Sequence, residues 1–313
     1  MKTLIRVTEI WVPNKARTHL EFFDGLYGEL GDFKGASETM LFAYDEGLPG
    51  KAWAARRPVI LPRFENSYFL RIDAAIKAGL TAAIALPIFA GDYLQAVIVF
   101  FIGDDAENVG GIEVWSNTPG ESPEIGMDDG YYGTAETFEW TARHTRFRPG
   151  FGLPGTVWQS GMPVIMQDLL SSKRTLRRDS DVRIGISKGV GIPCSFDAAR
   201  QTVVMTFLSA LGTPIARRFE IWVPDDEGKA LRFGAGDCDQ QPHLAECHGD
   251  ARIAPWEGAL GEAWQKGVPA VRSNLLFEPG AAARAATAAG LGAMVVLPVI
   301  QDGRFRAAVA WYF

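Results

Sequence analysis

Gly47-Leu48-Pro49-Gly50, with Trp53 and then Pro58-Val59 after it, decides how this chain is organised, because it returns twice. Gly152-Leu153-Pro154-Gly155 is followed by Trp158 and Pro163-Val164, 105 residues after the first copy. Gly258-Ala259-Leu260-Gly261 is followed by Trp264 and Pro269-Ala270, another 106 residues on. Around this core lie further echoes. Gly79, Gly185 and Gly290 each stand eight residues before a proline (Pro87, Pro193, Pro298). A Glu-apolar-Trp triplet opens each copy: Glu9-Ile10-Trp11, Glu113-Val114-Trp115 and Glu220-Ile221-Trp222. A period near 105 is too long for a solenoid repeat and right for a whole small domain. The 313 residues therefore divide into three units, placed at 1–104, 105–213 and 214–313.

Bulk composition is that of ordinary globular protein, 47% hydrophobic and 22% charged. A net charge of -6 argues against a nucleic-acid surface. Three cysteines make no disulfide framework, so a reducing, cytoplasmic setting is expected. Met1 to Ile10 holds no long apolar run of the signal-peptide kind. Leu80 to Phe101 is apolar enough to resemble a membrane span, but Gly91-Asp92 interrupts it as a turn between strands, and no membrane partner is expected.

Within each unit, the Glu-apolar-Trp segment reads as a strand, followed by a turn and a second strand such as His19 to Phe23. The Gly-Leu-Pro-Gly segment reads as a turn leading into a short helix (Lys51 to Arg56, Thr156 to Ser160) that proline ends. Short strands follow at Val59-Ile60-Leu61 and Val164-Ile165-Met166. A helix at Tyr68 to Ala78, or Ala281 to Ala289, stops on Gly79 or Gly290. Two further strands close each unit, for example Ala82 to Phe89 with Ala96 to Phe101. The class is α+β, a central antiparallel sheet packed with helices. Linkers are short, so the units are expected to pack as one body.

Gly-Leu-Pro-Gly-x-x-Trp, the Pro-Val strand and the Gly-apolar then apolar-Pro-apolar strand, quoted in unit two as Gly152 to Trp158, Pro163 to Ile165 and Gly191-Ile192-Pro193, resemble GAF domains, a profilin-like fold, in tandem. The resemblance implies a sensor or dimerisation module of signal transduction, with a small-molecule pocket between sheet and helices. The output domain that such proteins usually carry is not recognisable here.

Each candidate residue has a plain reading beside a chemical one. Trp53, Trp158 and Trp264 read as core anchors of the short helix rather than pocket walls. Glu9, Glu113 and Glu220, lacking a partner acid or histidine at fixed spacing, read as an exposed strand face. Cys247-His248 has the composition of a bilin-attachment dipeptide but lies before the Gly258 turn, out of place for that chemistry. Cys238, His243, Cys247 and His248 could also be read as zinc ligands, but they lack a CxxC knuckle. Cys194 has no resolving partner in its unit, which argues against the sulfoxide-reductase chemistry known in the family. Unit two carries a basic cluster (Lys173, Arg174, Arg177, Arg178, Arg183, Lys188) suited to a small anion.

The expectation is a non-enzymatic small-molecule sensor without metal or cofactor. Any ligand site is placed in unit two at Trp158, Arg178 and Cys194. The alternatives are a protein-binding scaffold with filled pockets, partnered by a signalling protein, and a reductase-type enzyme.

Overall fold

The computed structural model describes residues 3–103, 110–118, 120–133, 135–167, 169, 185–194, 201–210, 213–241 and 243–313. Unit one runs β1 (Ile5–Pro13), β2 (His19–Leu26), α1 (Gly31–Glu38), β3 (Leu41–Ala43), α2 (Gly47–Ala55), β4 (Val59–Leu61), α3 (Ile72–Lys77), β5 (Leu80–Ala90) and β6 (Tyr93–Gly103). Its sheet is antiparallel throughout, in the order β3-β2-β1-β6-β5-β4. Unit two repeats the plan with β7 (Gly110–Asn117), β8 (Ile125–Tyr131), α4 (Glu136–Arg143), β9 (Arg146–Phe147), α5 (Gly152–Ser160), β10 (Val164–Met166), β11 (Ile186–Pro193) and β12 (Thr202–Ala210). Unit three supplies β13 (Arg218–Pro224), β14 (Leu231–Cys238), β15 (Arg252–Ile253), β16 (Ala270–Arg272), β17 (Met294–Gln301) and β18 (Arg304–Tyr312), with helices at Leu244–His248, Gly258–Lys266 and Ala281–Ala288. The three sheets have the same strand order, and in each the opening strand pairs at the centre.

The repeated glycines are explained by the helix they start. Gly-Leu-Pro-Gly is not a turn before a helix but the helix's own first turn. Pro49 and Pro154 are tolerated there because first-turn N–H groups need no intrahelical acceptor. The leading glycines, Gly47, Gly152 and Gly258, take φ of 56°, 59° and 59°. The trailing glycines answer a different demand: a Cβ on Gly50, Gly155 or Gly261 would run into the carbonyl oxygen of Ala43, Arg148 or Ala254. The helix thus lies directly on the backbone at the end of the preceding short strand.

The apolar run from Leu80 to Phe101 is the β5–β6 hairpin, turning at Gly91 (φ 61°), and is buried on both faces. No helix among the described residues is long and apolar enough to cross a membrane. Burial on both faces follows from the packing of the units. One face of each sheet carries its helices, while the other joins a core shared by all three units. Phe100, Phe207 and Trp311, which hold equivalent places on β6, β12 and β18, meet there with centroid separations of 5.7, 4.6 and 5.0 Å. The edges close cyclically: β4 lies against β8, β10 against β14, and β16 against β2. The chain is a closed ring of three units about a pseudo-threefold axis.

Two helix expectations need adjustment. The one over Tyr68 to Ala78 shortens to Ile72–Lys77, its first residues being irregular backbone. An additional helix, α1 in unit one, α4 in unit two and Leu244–His248 in unit three, follows the second strand of each unit.

Candidate functional site

A carboxylate sits at the centre of each unit. Glu9, Glu113 and Glu220 are 0% exposed, which corrects the reading of these residues as a solvated strand face. The cause lies in their own triplet. Alternation along a strand puts residues i and i+2 on one face, and Trp11, Trp115 and Trp222 are also 0% exposed. Each indole Nε1 donates to its glutamate, at 3.0, 2.9 and 2.9 Å. The constant partner lay two residues away and was legible from the spacing.

The remaining donors differ. On Glu9, the Tyr27 hydroxyl donates at 3.0 Å and Ser37 at 2.7 Å. Arg71 adds a two-pronged contact at 2.7 and 2.9 Å. On Glu113, Tyr132 donates at 2.9 Å and Thr206 at 2.8 Å. On Glu220, Tyr312 donates at 2.7 Å, His248 Nε2 lies at 2.9 Å, and Arg218 on the same strand closes the set. Burial pushes the Glu220 carboxyl up, but the His248 hydrogen bond and the Arg218 charge outweigh it, and the group is held below its ordinary range. Burial, reinforced by the neighbouring carboxylates, raises the Tyr27 and Tyr312 hydroxyls. These carboxylates are saturated and shielded from solvent, so they serve as internal charge sites rather than as acids presented to a substrate.

The residues proposed for a site in unit two are not drawn together. Val190, Ile192 and Cys194 alternate toward the shared axial core, while Gly189 and Gly191 face Leu153 and Val157 of α5. Trp158 packs on that helix side, against the unit-two core. Trp158 and Cys194 therefore lie on opposite faces of the sheet, and Arg178 lies outside the described residues. Cys194 lines a cleft on the axis with Pro87 and Pro298, of about 20 Å³, room for little more than one water. Burial pushes its thiol up to about 12.

Trp53, Trp158 and Trp264 are half-buried at the rims of their cores, so the anchors of the short helices are instead Leu48, Leu153 and Leu260. Cys247 is exposed and accepts a hydrogen bond from Gln241, whereas its neighbour His248 is fully buried on Glu220. Among the described residues no three His, Cys, Asp or Glu side chains are placed to hold a metal ion.

No family model matches the chain, and no curated protein matches it. Similar solved structures each align with about one unit. The nlh2 GAF domain of A. aeolicus in an inactive state is 22% identical over 32% of this chain and 59% of its own, with a TM-score of 0.26. The second GAF domain of DevS from Mycobacterium smegmatis is 21% identical over 32% of this chain and 62% of its own, TM-score 0.24. Free methionine-R-sulfoxide reductase from Neisseria meningitidis, in complex with its substrate, is 11% identical over 31% of this chain and 52% of its own, TM-score 0.25. The aligned part of this chain thus spans between half and two thirds of those proteins. By sheet order and layering, the chain is α+β and consists of consecutive GAF-like units, three in number.

Proposed function

We propose that this chain is a non-enzymatic regulatory protein of signal transduction that works through its surface, with the interior sites of units one and three closed by its own side chains. The unit limits are taken at 1–104, 105–213 and 214–313, and a cytoplasmic setting is part of the reading. The observation that carries it is the Glu9 cluster. Between sheet and helices, where the GAF resemblance places a ligand, the carboxylate already has four protein partners and Arg71 is packed over it. Unit three is closed in the same way by Arg218 and His248.

The outer surface supports the same reading. Leu276 and Phe277, on a 3-10 turn of unit three, are 73% and 86% exposed, the kind of apolar display that contact surfaces carry. A reductase-type activity is disfavoured by the Cys194 thiol, whose pKa burial pushes up to about 12, and by the small space beside it.

The test is native mass spectrometry of the purified chain beside its denatured mass. A native mass equal to the bare chain, or a whole multiple of it, is expected. Additional mass that is lost on denaturation would overturn the reading that the chain works through its surface alone and would identify the ligand.

A further inference from the structure

Arg71 is held unlike a structural counter-ion. Its guanidinium lies within 4.9 to 6.0 Å of the ring centroids of Trp11, Phe33, Phe42, Phe69 and Phe101. On the open edge of the guanidinium stand the Glu9 carboxylate and the Ser37 hydroxyl. Aromatic faces around a cation, closed by one carboxylate, form a receptor for an organic cation, since the rings favour a flat, weakly hydrated charge and the carboxylate fixes its sign. Yet the fit is incomplete, because Arg71 Nε is buried without an acceptor.

Unit three shows that closing such a site needs no long-range cation. Arg218 stands two residues before Glu220 on the same strand, on the same face, and neutralises it locally. In unit one the cation instead comes from 62 residues away. It sits at the end of residues 62–71, a stretch without helix or strand, in which Arg63, Glu65, Asn66 and Leu70 are exposed. Opening this stretch would expose Phe64 and Phe69, which are buried in the unit-one core, but would break no strand ladder, so it opens at lower cost than the strands beneath it.

We infer that the interior of unit one is a binding site for a small guanidinium compound, held shut in cis by Arg71 on the 62–71 segment. The inference rests on the proposed function only in taking Arg71 as the group that closes unit one. An incoming ligand competes with a tethered copy of its own recognition group, so occupancy is a population shift between closed and open forms of that segment. The ligand must carry one positive charge, because a neutral molecule would leave Glu9 buried and unpaired.

The experiment uses the full chain with Arg71→Ala and methylguanidinium as the probe. Methylurea, its neutral counterpart of similar shape, is the control. A saturable rise in thermal midpoint is expected with methylguanidinium, with methylurea at least about tenfold weaker and no response in Glu9→Gln/Arg71→Ala. If Arg71→Ala does not fold unaided, it is refolded from urea with and without each probe, and recovery with methylguanidinium alone is the expected result. In the wild-type chain, methylguanidinium well above the variant's Kd is expected to speed amide exchange across residues 62–71 and leave the strands unchanged. Equal responses to both probes, no response or recovery with either, or unaltered exchange at 62–71 would each overturn the inference. None of these outcomes depends on the native mass of the wild-type chain, so the two readings fail separately.

Discussion

Glu220 shows what a fully buried carboxylate does to stability. Its folded value lies below the ordinary 4.5, because His248 and Arg218 outweigh the effect of burial. A depressed carboxylate contributes stability above its unfolded value and loses it as pH falls through the folded one. Glu220→Gln should therefore cost about 3–5 kcal/mol at neutral pH, since it leaves Arg218 buried without its counter-charge. In urea titrations the gap between wild type and variant should narrow as pH falls below about 4.5, and a constant gap would disprove the ionic account. The thiols give a second check at this scale. Cys247 is exposed, whereas Cys238 is buried and Cys194 has its pKa pushed to about 12. One equivalent of an aromatic disulfide reagent should react quickly at neutral pH, and Cys247→Ser should remove that phase. A fast phase that survives in Cys247→Ser and vanishes in Cys194→Ser would return weight to a catalytic thiol.

At the scale of elements, two helical glycines of unit one should respond to alanine in opposite ways. Gly35, within α1, is exposed, with nothing near the position of a Cβ. Alanine there should stabilise the protein by roughly 0.5–1 kcal/mol through the helix propensity it adds. Gly50, within α2, would drive its Cβ into the Ala43 carbonyl, and alanine there should cost about 1–3 kcal/mol by forcing the helix off the strand end. Paired chemical denaturation of the two variants measures both, and equal effects would mean that propensity rather than close approach governs α2. The contrast also explains what the sequence made legible. The spaced Gly, Pro and Trp residues mark local demands, so the three units, their strands and the short edge strands Val59–Leu61 and Val164–Met166 could be placed from them. The start of α3 could not, because Phe69 shares helical spacing with Ile72, Ala75 and Ile76, while Arg71 just ahead of the helix is drawn onto Glu9 and the helix begins only at Ile72. The burial of the carboxylates is hidden in the sequence for a related reason. A lone glutamate looks solvated until the indole two residues on is recognised as its donor.

For the whole molecule the decisive packing is non-local and left no mark of its own. Phe100, Phe207 and Trp311 look like ordinary strand residues, yet they build the centre in which the three units meet. Ion pairs bridge the seams beside it, Arg57 to Asp128 at 2.5 Å and Lys188 to Asp237 at 2.7 Å. These partly exposed pairs orient the units more than they bind them. The apolar centre carries the association, because separating one unit would expose sheet faces of all three to water. The chain should therefore melt as one cooperative unit, with calorimetric and van't Hoff enthalpies in agreement, although each unit is large enough to own a core. Trp311→Ala should remove about 3–5 kcal/mol and lower that single transition as a whole. It should not release unit three to melt ahead of a stable remainder, because its ring lies against Phe100 of unit one and Phe207 of unit two. Differential scanning calorimetry of the wild type and this variant decides the matter: separate transitions in the wild-type trace would mean that the units are neighbours rather than one folded body.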